Sequence, residues 1–192
     1  MKTYIFSNCK KSDDETYTEK LLKIVKPTDQ LIILNKGTVF FGIVRKNRDI
    51  FKNFKNINTL HREIRINGAL GFFGIQDMVS FEKLIQSTTT CDVWLDEHHH
   101  YAHICKGTKG IPQVSNRIIE LPELQQYFDK TGKIPTTGFV SYYLVPKLYH
   151  CKKQDITLVN FYGNEDNSTN KAVVHAWNYE NEWLKDKKRI FI

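Results

Sequence analysis

The stretch Lys133-Ile-Pro-Thr-Thr-Gly-Phe-Val-Ser-Tyr142 predicts the end of an extended segment, a tight turn and the start of a helix. Its proline fixes φ and biases the isoleucine before it towards an extended conformation. Thr136 or Thr137 can cap the helix, and Gly138 lets the backbone approach a ligand closely. Such a turn presents amides and hydroxyls, which suits an anion.

The sequence after this helix predicts a buried strand followed by a reactive side chain. Residues 156–161 form a β-rich apolar run, which ends at Tyr162-Gly163. His175 follows, and Glu180 lies five positions later. A helix and then a strand are typical of half a βαβ unit, and here a histidine that can take part in chemistry follows the strand.

Two more helices are predicted on either side of this region. Residues 122–128 begin with Pro122, and Gly132 follows their end, which is the usual order of helix start and stop signals. Near the end of the chain, Asn178 can cap a helix whose early residues are acidic and whose late residues are basic.

The beginning of the chain predicts a complete βαβ unit. Residues 4–7 form a short apolar strand, residues 12–15 form a capping box for a helix, and residues 31–34 form a continuous apolar run. The predicted fold class is therefore α/β. We expect a single Rossmann-like domain over residues 1–192, with a mainly parallel sheet and helices on both faces.

Asn8 and Asn35 follow the first two predicted strands. A right-handed crossover brings the carboxyl ends of parallel strands to the same edge of the sheet, where open α/β sheets bind ligands. Both carboxamides are then expected in one crevice. The alternative is that each asparagine serves only its turn.

Several of these segments resemble the sialyltransferases. The run from Pro135 to Phe139, with a helix and then residues 156–163, is similar to the small sialyl motif of that family. The spacing of His175 and Glu180 is similar to its very short motif, and residues 29–35 resemble part of its large motif. The chain is identified as a short bacterial member.

The resemblance implies an inverting transferase that moves sialic acid from CMP-sialic acid to a hydroxyl of a bacterial surface glycan, either lipooligosaccharide or capsule. It implies a sialyltransferase-type variant of the GT-A fold. His175 is implied as the general base, and neutral imidazole suits that task. Glu180 is implied either to orient the imidazole or to support the fold. The reaction requires no metal or other cofactor.

The resemblance also implies residues that hold the donor. Thr136, Thr137 and Gly138 would contact the sialic acid or its carboxylate, and Asn8 and Asn35 the cytidine monophosphate.

A further family motif usually supplies a histidine or tyrosine between the small and very short motifs, but residues 164–174 contain neither. Tyr162 can take that donor-binding role, or the role is vacant.

Two departures from the family affect the donor contacts. A Gly-Asn-Gly-Pro-Ser turn is replaced here by Ser-Asn-Cys-Lys-Lys at residues 7–11, and an arginine of the second strand is replaced by Ile33. An alternative function is therefore the same fold acting on another CMP-activated sugar, or the fold without activity.

Length and composition indicate an ordinary domain. A chain of 192 residues can bury about two-thirds of its unfolded surface. No apolar run approaches the roughly 20 residues that cross a bilayer, and the first residues lead straight into a strand. We expect a cytoplasmic protein with reduced cysteines, in peripheral contact with an inner-membrane glycolipid acceptor.

The net charge of +7 indicates an acidic partner. A nucleotide-sugar donor satisfies this expectation, and so does an anionic glycan. A module that binds single-stranded nucleic acid is the second alternative, because the sequence is basic and 12% aromatic. No DNA- or RNA-binding motif occurs in the sequence, which disfavours that alternative.

Residues 96–105 contain four histidines and a cysteine, which are metal-ligand types. Adjacent imidazoles on an extended chain point to opposite sides, and structural zinc sites usually join two separated pairs of ligands. We therefore expect a solvated loop or a rim that faces the acceptor.

Overall fold

A computed structural model of the chain describes residues 1–7, 14–34, 43, 46–59, 93–95, 101–106, 113–118, 121–163 and 175–192. The chain divides into two compact units. One comprises Met1–Lys55 with Leu121–Ile192, and the other comprises Asn56–Glu120. Asn8 and Asn35 lie outside the described residues. The single domain over residues 1–192 stays a prediction.

The strands and helices are numbered along the chain as follows. The described strands are β1 (Thr3–Phe6), β2 (Gln30–Leu34), β3 (Phe54–Thr59), β4 (Val93–Leu95), β5 (Tyr101–Lys106), β6 (Gln113–Ile118), β7 (Ile156–Val159) and β8 (Arg189–Ile190). The α-helices whose limits are described are α1 (Asp14–Ile24), α2 (Pro122–Thr131), α3 (Thr137–Tyr149) and α4 (Trp177–Lys185).

A parallel sheet forms the centre of the first unit. β1 pairs with β2 on one side and with β7 on the other, and β7 pairs with β8, all in parallel. Ile5 aligns with Ile32 of β2 and with Leu158 of β7. The predicted βαβ unit and the predicted α/β class are therefore confirmed.

Both faces of β1 are covered, as expected for parallel strands. Tyr4 and Phe6 belong to a buried cluster with Tyr17 and Leu21 of α1. Ile5 points to the opposite face by strand alternation and is fully buried. On that side α3, whose Val140 is also fully buried, packs against β1.

Helices α2 and α3 are separated by a turn with a defined signal at each end. Gly132 ends α2 in the left-handed region with φ of 60°, and its N–H bonds the carbonyl of Phe128. Thr136 caps α3 with its side chain. The predicted proline start and glycine end of α2, and the threonine cap of α3, are confirmed.

The second unit contains strands of mixed direction. β3 pairs with β4 in parallel, β4 pairs with β5 antiparallel, and β5 pairs with β6 antiparallel over six residues. The prediction of a loop or rim at residues 96–105 is wrong for residues 101–105, which belong to β5. Continuous backbone pairing with β6 explains why these residues form a strand.

No helix within the described ranges is long and apolar enough to cross a membrane.

Candidate functional site

The candidate site begins at the turn before α3. The backbone of Thr136 is extended, with φ of −70° and ψ of 158°, and its Oγ1 accepts the N–H of Phe139 at 3.2 Å. This is the usual N-cap geometry, in which a hydroxyl binds an amide that the helix leaves without an internal partner. The cap of α3 is therefore provided by the turn's own sequence.

Gly138 permits a close approach of the protein to itself. A Cβ at this position would lie 2.5 Å from Cε1 of Phe161, the second residue after β7. Any side chain at this position would force that ring to move away from the first turn of α3. The prediction that Gly138 also contacts a ligand stays a prediction, and Gly138 itself is buried.

Glu180, on α4, binds the same turn. Its Oε1 accepts the backbone N–H of Thr136 at 2.8 Å, and its Oε2 accepts the hydroxyl of Thr136 at 2.5 Å. The backbone amide and the hydroxyl of Thr136, which could have held a ligand anion, therefore hold a carboxylate of the protein. A negative charge at the start of α3 is also favoured by the helix dipole.

The carboxyl group of Glu180 is nearly inaccessible to solvent, since the residue is only 5% exposed. Burial raises its pKa to about 7, although the hydrogen bonds from Thr136 and Tyr127 act in the opposite direction. Glu180 therefore changes charge near neutral pH.

Tyr127 is the third member of this network. It is fully buried on α2, and its hydroxyl donates to Oε1 of Glu180 at 3.0 Å. The same hydroxyl oxygen accepts the N–H of Ala176 at 2.9 Å. The sequence predicted α2 but assigned no role to Tyr127. Its place three residues after Leu124 predicts burial but does not indicate what its hydroxyl binds.

His175 lies beside the same turn. Its Nδ1 is 2.8 Å from the carbonyl oxygen of Ile134. Because a carbonyl can only accept, Nδ1 carries the proton in this bond, and the neutral imidazole then has its free lone pair on Nε2. The ring also lies nearly perpendicular to the ring of Trp177, with centroids 5.5 Å apart.

The surroundings of His175 favour the neutral imidazole. Burial lowers its pKa below the ordinary value, and the positive charge of Lys133 lowers it further, while the bond to Ile134 acts in the opposite direction. A half-buried neutral imidazole with a fixed Nδ1–H can accept a proton at Nε2 near neutral pH.

The structure thus brings together three of the predicted site residues, Thr136, His175 and Glu180, around one turn. Within the described ranges, the hydrogen bonds of Glu180 go to Thr136 and Tyr127 and not to His175. Of the two roles expected for Glu180, its direct contacts agree with support of the fold. Thr137 is the first residue of α3 and is partly exposed.

Tyr162 lies at the carboxyl end of β7. Its hydroxyl donates to Oδ1 of Asn160 at 3.4 Å, and its ring contacts Phe191 at 4.9 Å between centroids. Asn160 has a φ of 57° and also accepts the N–H of Ile192 at 2.9 Å. Its carbonyl accepts the hydroxyl of Ser7, which follows β1, at 2.6 Å. The ends of β1 and β7 are therefore joined at this edge of the sheet.

The helix prediction near Asn178 needs one correction. α4 begins at Trp177, so Asn178 lies inside the helix, and Ala176 occupies the N-cap position without a side-chain bond. The N–H of Ala176 is instead satisfied by the distant hydroxyl of Tyr127. The helix start thus has no side-chain cap, and a tertiary contact binds the backbone of its N-cap residue.

A substitution at Thr136 tests whether the turn depends on its hydroxyl. Thr136→Val keeps the shape but removes the cap to Phe139 and the bond to Glu180. The free energy of unfolding is expected to fall by about 2 kcal/mol. Urea denaturation at pH 7 measures this loss. Thr136→Ser is the matched control and is expected to lose less than about 1 kcal/mol; equal stability of Thr136→Val and the wild type would contradict the assignment.

No group of three or more metal-ligand side chains occurs among the residues described. Comparisons of the chain with protein-family models, with curated proteins and with solved structures found no match.

The geometry defines a class of site. An imidazole with a fixed Nδ1–H lies beside a capped helix start at which Thr137 is partly exposed. Such a pair can accept a proton from a hydroxyl at Nε2 and can hold an anionic group at the helix start.

Proposed function

We propose that the chain is an inverting glycosyltransferase that moves sialic acid from CMP-sialic acid to a hydroxyl of a bacterial surface glycan, such as lipooligosaccharide or capsule. The observation that carries this proposal is the bond from His175 Nδ1 to the carbonyl of Ile134. It joins His175, in the segment that resembles the very short sialyl motif, to the residue directly before the segment that resembles the small motif, 41 residues away.

The proposed base is Nε2 of His175. The acceptor hydroxyl attacks the anomeric carbon of the sialic acid while the bond from that carbon to the phosphate oxygen breaks. CMP leaves with the electron pair of that bond, and the hydroxyl proton passes to Nε2. One displacement inverts the anomeric centre. The lowered pKa of His175 supports this role because it keeps Nε2 unprotonated at neutral pH.

The proposed donor contacts lie at the start of α3. The first amides of a helix have no internal partner, so the N–H and hydroxyl of Thr137 are suited to the phosphate or the carboxylate of the donor. Thr136 supports them indirectly, because its polar groups bind Glu180 and Phe139. Tyr162, Asn8 and Asn35 keep the donor-binding roles that the family resemblance implies.

We extend the proposal to the fold and its setting. The parallel sheet with covered faces supports a Rossmann-like arrangement of the sialyltransferase type. The net positive charge supports an anionic nucleotide donor. An acceptor that is a glycolipid would require contact with the inner membrane from the cytoplasmic side.

Release of CMP tests the proposed reaction. The full chain is mixed with CMP-sialic acid and a lactose-terminated oligosaccharide, and free CMP is measured by chromatography with EDTA present. We expect acceptor-dependent release of CMP together with a sialylated product. CMP-activated 3-deoxy-manno-octulosonic acid is the control donor and is expected to react more slowly. Absence of turnover with CMP-sialic acid, with or without binding of CMP, would contradict the proposal.

A further inference from the structure

The hydroxyl of Tyr127 contacts both segments that hold the His175 ring. The first segment is the backbone after His175, where the N–H of Ala176 donates to this hydroxyl at 2.9 Å. The second segment is the turn, where the carbonyl of Ile134 accepts the Nδ1–H of His175 and lies 3.4 Å from the same hydroxyl. The hydroxyl of Tyr127 therefore lies close both to the backbone that carries the His175 ring and to the carbonyl that the ring binds.

The single proton of the Tyr127 hydroxyl has a preferred acceptor. Oε1 of Glu180 is at 3.0 Å and the carbonyl of Ile134 is at 3.4 Å, so donation to Glu180 is favoured. The carbonyl of Ile134 is then left to His175. The hydroxyl oxygen still has a lone pair for the N–H of Ala176. Every donor in this group thus has one acceptor.

We infer that Tyr127 is a positioning residue for His175, holding its ring in the tautomer that leaves Nε2 free. This inference rests on the proposed function, because only that function makes His175 the base. Without the hydroxyl, the N–H of Ala176 loses its acceptor and the backbone beside His175 is free to shift. The ring then loses its alignment with Ile134, and the tautomer with the proton on Nε2, which cannot accept another there, becomes populated.

The contacts separate the role of Tyr127 from that of Glu180. Glu180 binds the turn at Thr136, whereas Tyr127 binds the backbone on the His175 side. Tyr127 is also fixed by its own packing, with its ring 4.9 Å from Phe139 and 5.1 Å from Tyr179 between centroids. A fully buried ring with two aromatic neighbours gives its hydroxyl a fixed position.

The test is Tyr127→Phe in the full chain, which removes only the hydroxyl. NMR of protein labelled with ¹⁵N-histidine reports the tautomer of each ring, and a His175 variant assigns the signal of this one. The wild type is expected to hold the proton on Nδ1, and Tyr127→Phe is expected to populate both tautomers. In the transfer reaction, kcat is expected to fall about 10- to 100-fold while KM changes less than about twofold.

The matched control is Tyr143→Phe. The hydroxyl of Tyr143 likewise accepts an N–H from α4, here Nε1 of Trp183 at 2.9 Å. The control therefore removes an equivalent tyrosine hydroxyl that is not bonded to the turn. It is expected to leave the His175 tautomer and kcat unchanged.

The outcomes separate this inference from the proposed function. A wild-type tautomer together with wild-type kcat in Tyr127→Phe would overturn the positioning role. Absence of transfer by the wild type would refute the proposed function, while the tautomer measurement alone would still decide the role of Tyr127. If Tyr127→Phe does not fold, hydrogen exchange at the amide of Ala176 in the wild type tests the contact on which the role depends. Protection of this amide is expected, and free exchange would overturn the role.

Discussion

His175→Asn is expected to lower the rate of sialic acid transfer about 100- to 10,000-fold while the chain remains folded. The asparagine amide can still donate to the carbonyl of Ile134, as Nδ1 does now at 2.8 Å, but it cannot accept a proton as an imidazole does. The substitution thus removes the proposed base and keeps the structural hydrogen bond. Steady-state kinetics at pH 7.5 measure the loss.

The pH profile of the proposed transfer reaction gives the same residue an independent signature. Because burial lowers the pKa of His175, kcat/KM should fall only when the pH drops below the ordinary histidine value of 6.5. His175→Asn should lack this acid limb. His175→Ala, which loses the bond to Ile134 as well, should be less stable than His175→Asn by about 1 kcal/mol. Full activity in His175→Asn would exclude His175 as the base.

Glu180→Gln is expected to change how the stability of the chain depends on pH. The pKa of Glu180 is about 7 in the folded chain, compared with an ordinary value of 4.5. Between these values the folded state keeps a proton that the unfolded state releases, so stability is greatest below pH 4.5 and falls as the pH rises towards 7. The shift corresponds to about 3 kcal/mol.

Urea denaturation between pH 4.5 and 8 measures this effect as the difference between wild type and variant. His175 acts in the opposite direction, since its lowered pKa makes the folded state lose stability as the pH falls, but it is present in both proteins and cancels. Glu182→Gln is the matched control, because Glu182 is exposed on the same helix and bonds Lys185 at 2.7 Å. Parallel curves for wild type and Glu180→Gln would contradict a buried carboxyl with a raised pKa.

Local signals in the sequence predicted the frame of the site. A proline, a threonine cap and a glycine define the turn before α3, and short-range sterics and capping act on them without help from the rest of the chain. The two apolar runs that became β1 and β2 are continuous because both of their faces are covered. These features depend on neighbouring residues, so a single sequence displays them.

The contacts inside the site could not be predicted in the same way. The bond between Tyr127 and Glu180 joins residues 53 positions apart, and that between Thr136 and Glu180 joins residues 44 apart. Neither pairing leaves a pattern in a single sequence. The start of α4 has the same property, because its N-cap residue, Ala176, has no side-chain bond and its backbone N–H binds the hydroxyl of Tyr127, 49 residues away.

The site also shows why a threonine-rich turn is an ambiguous signal. Free amides and hydroxyls at a helix start attract any anion, whether it is a ligand or a carboxylate of the protein. Here the carboxylate of Glu180 binds Thr136. The hydrogen bonds to Thr136 therefore account for Glu180 without any bond to His175.

The most direct test of the proposed site is a crystal structure of the chain with CMP bound. We predict that the phosphate lies within about 3 Å of the amide or hydroxyl of Thr137, with Nε2 of His175 facing the same space. CMP bound away from both residues, or no CMP bound at saturating concentration, would contradict the assignment of this turn and this histidine to sialic acid transfer.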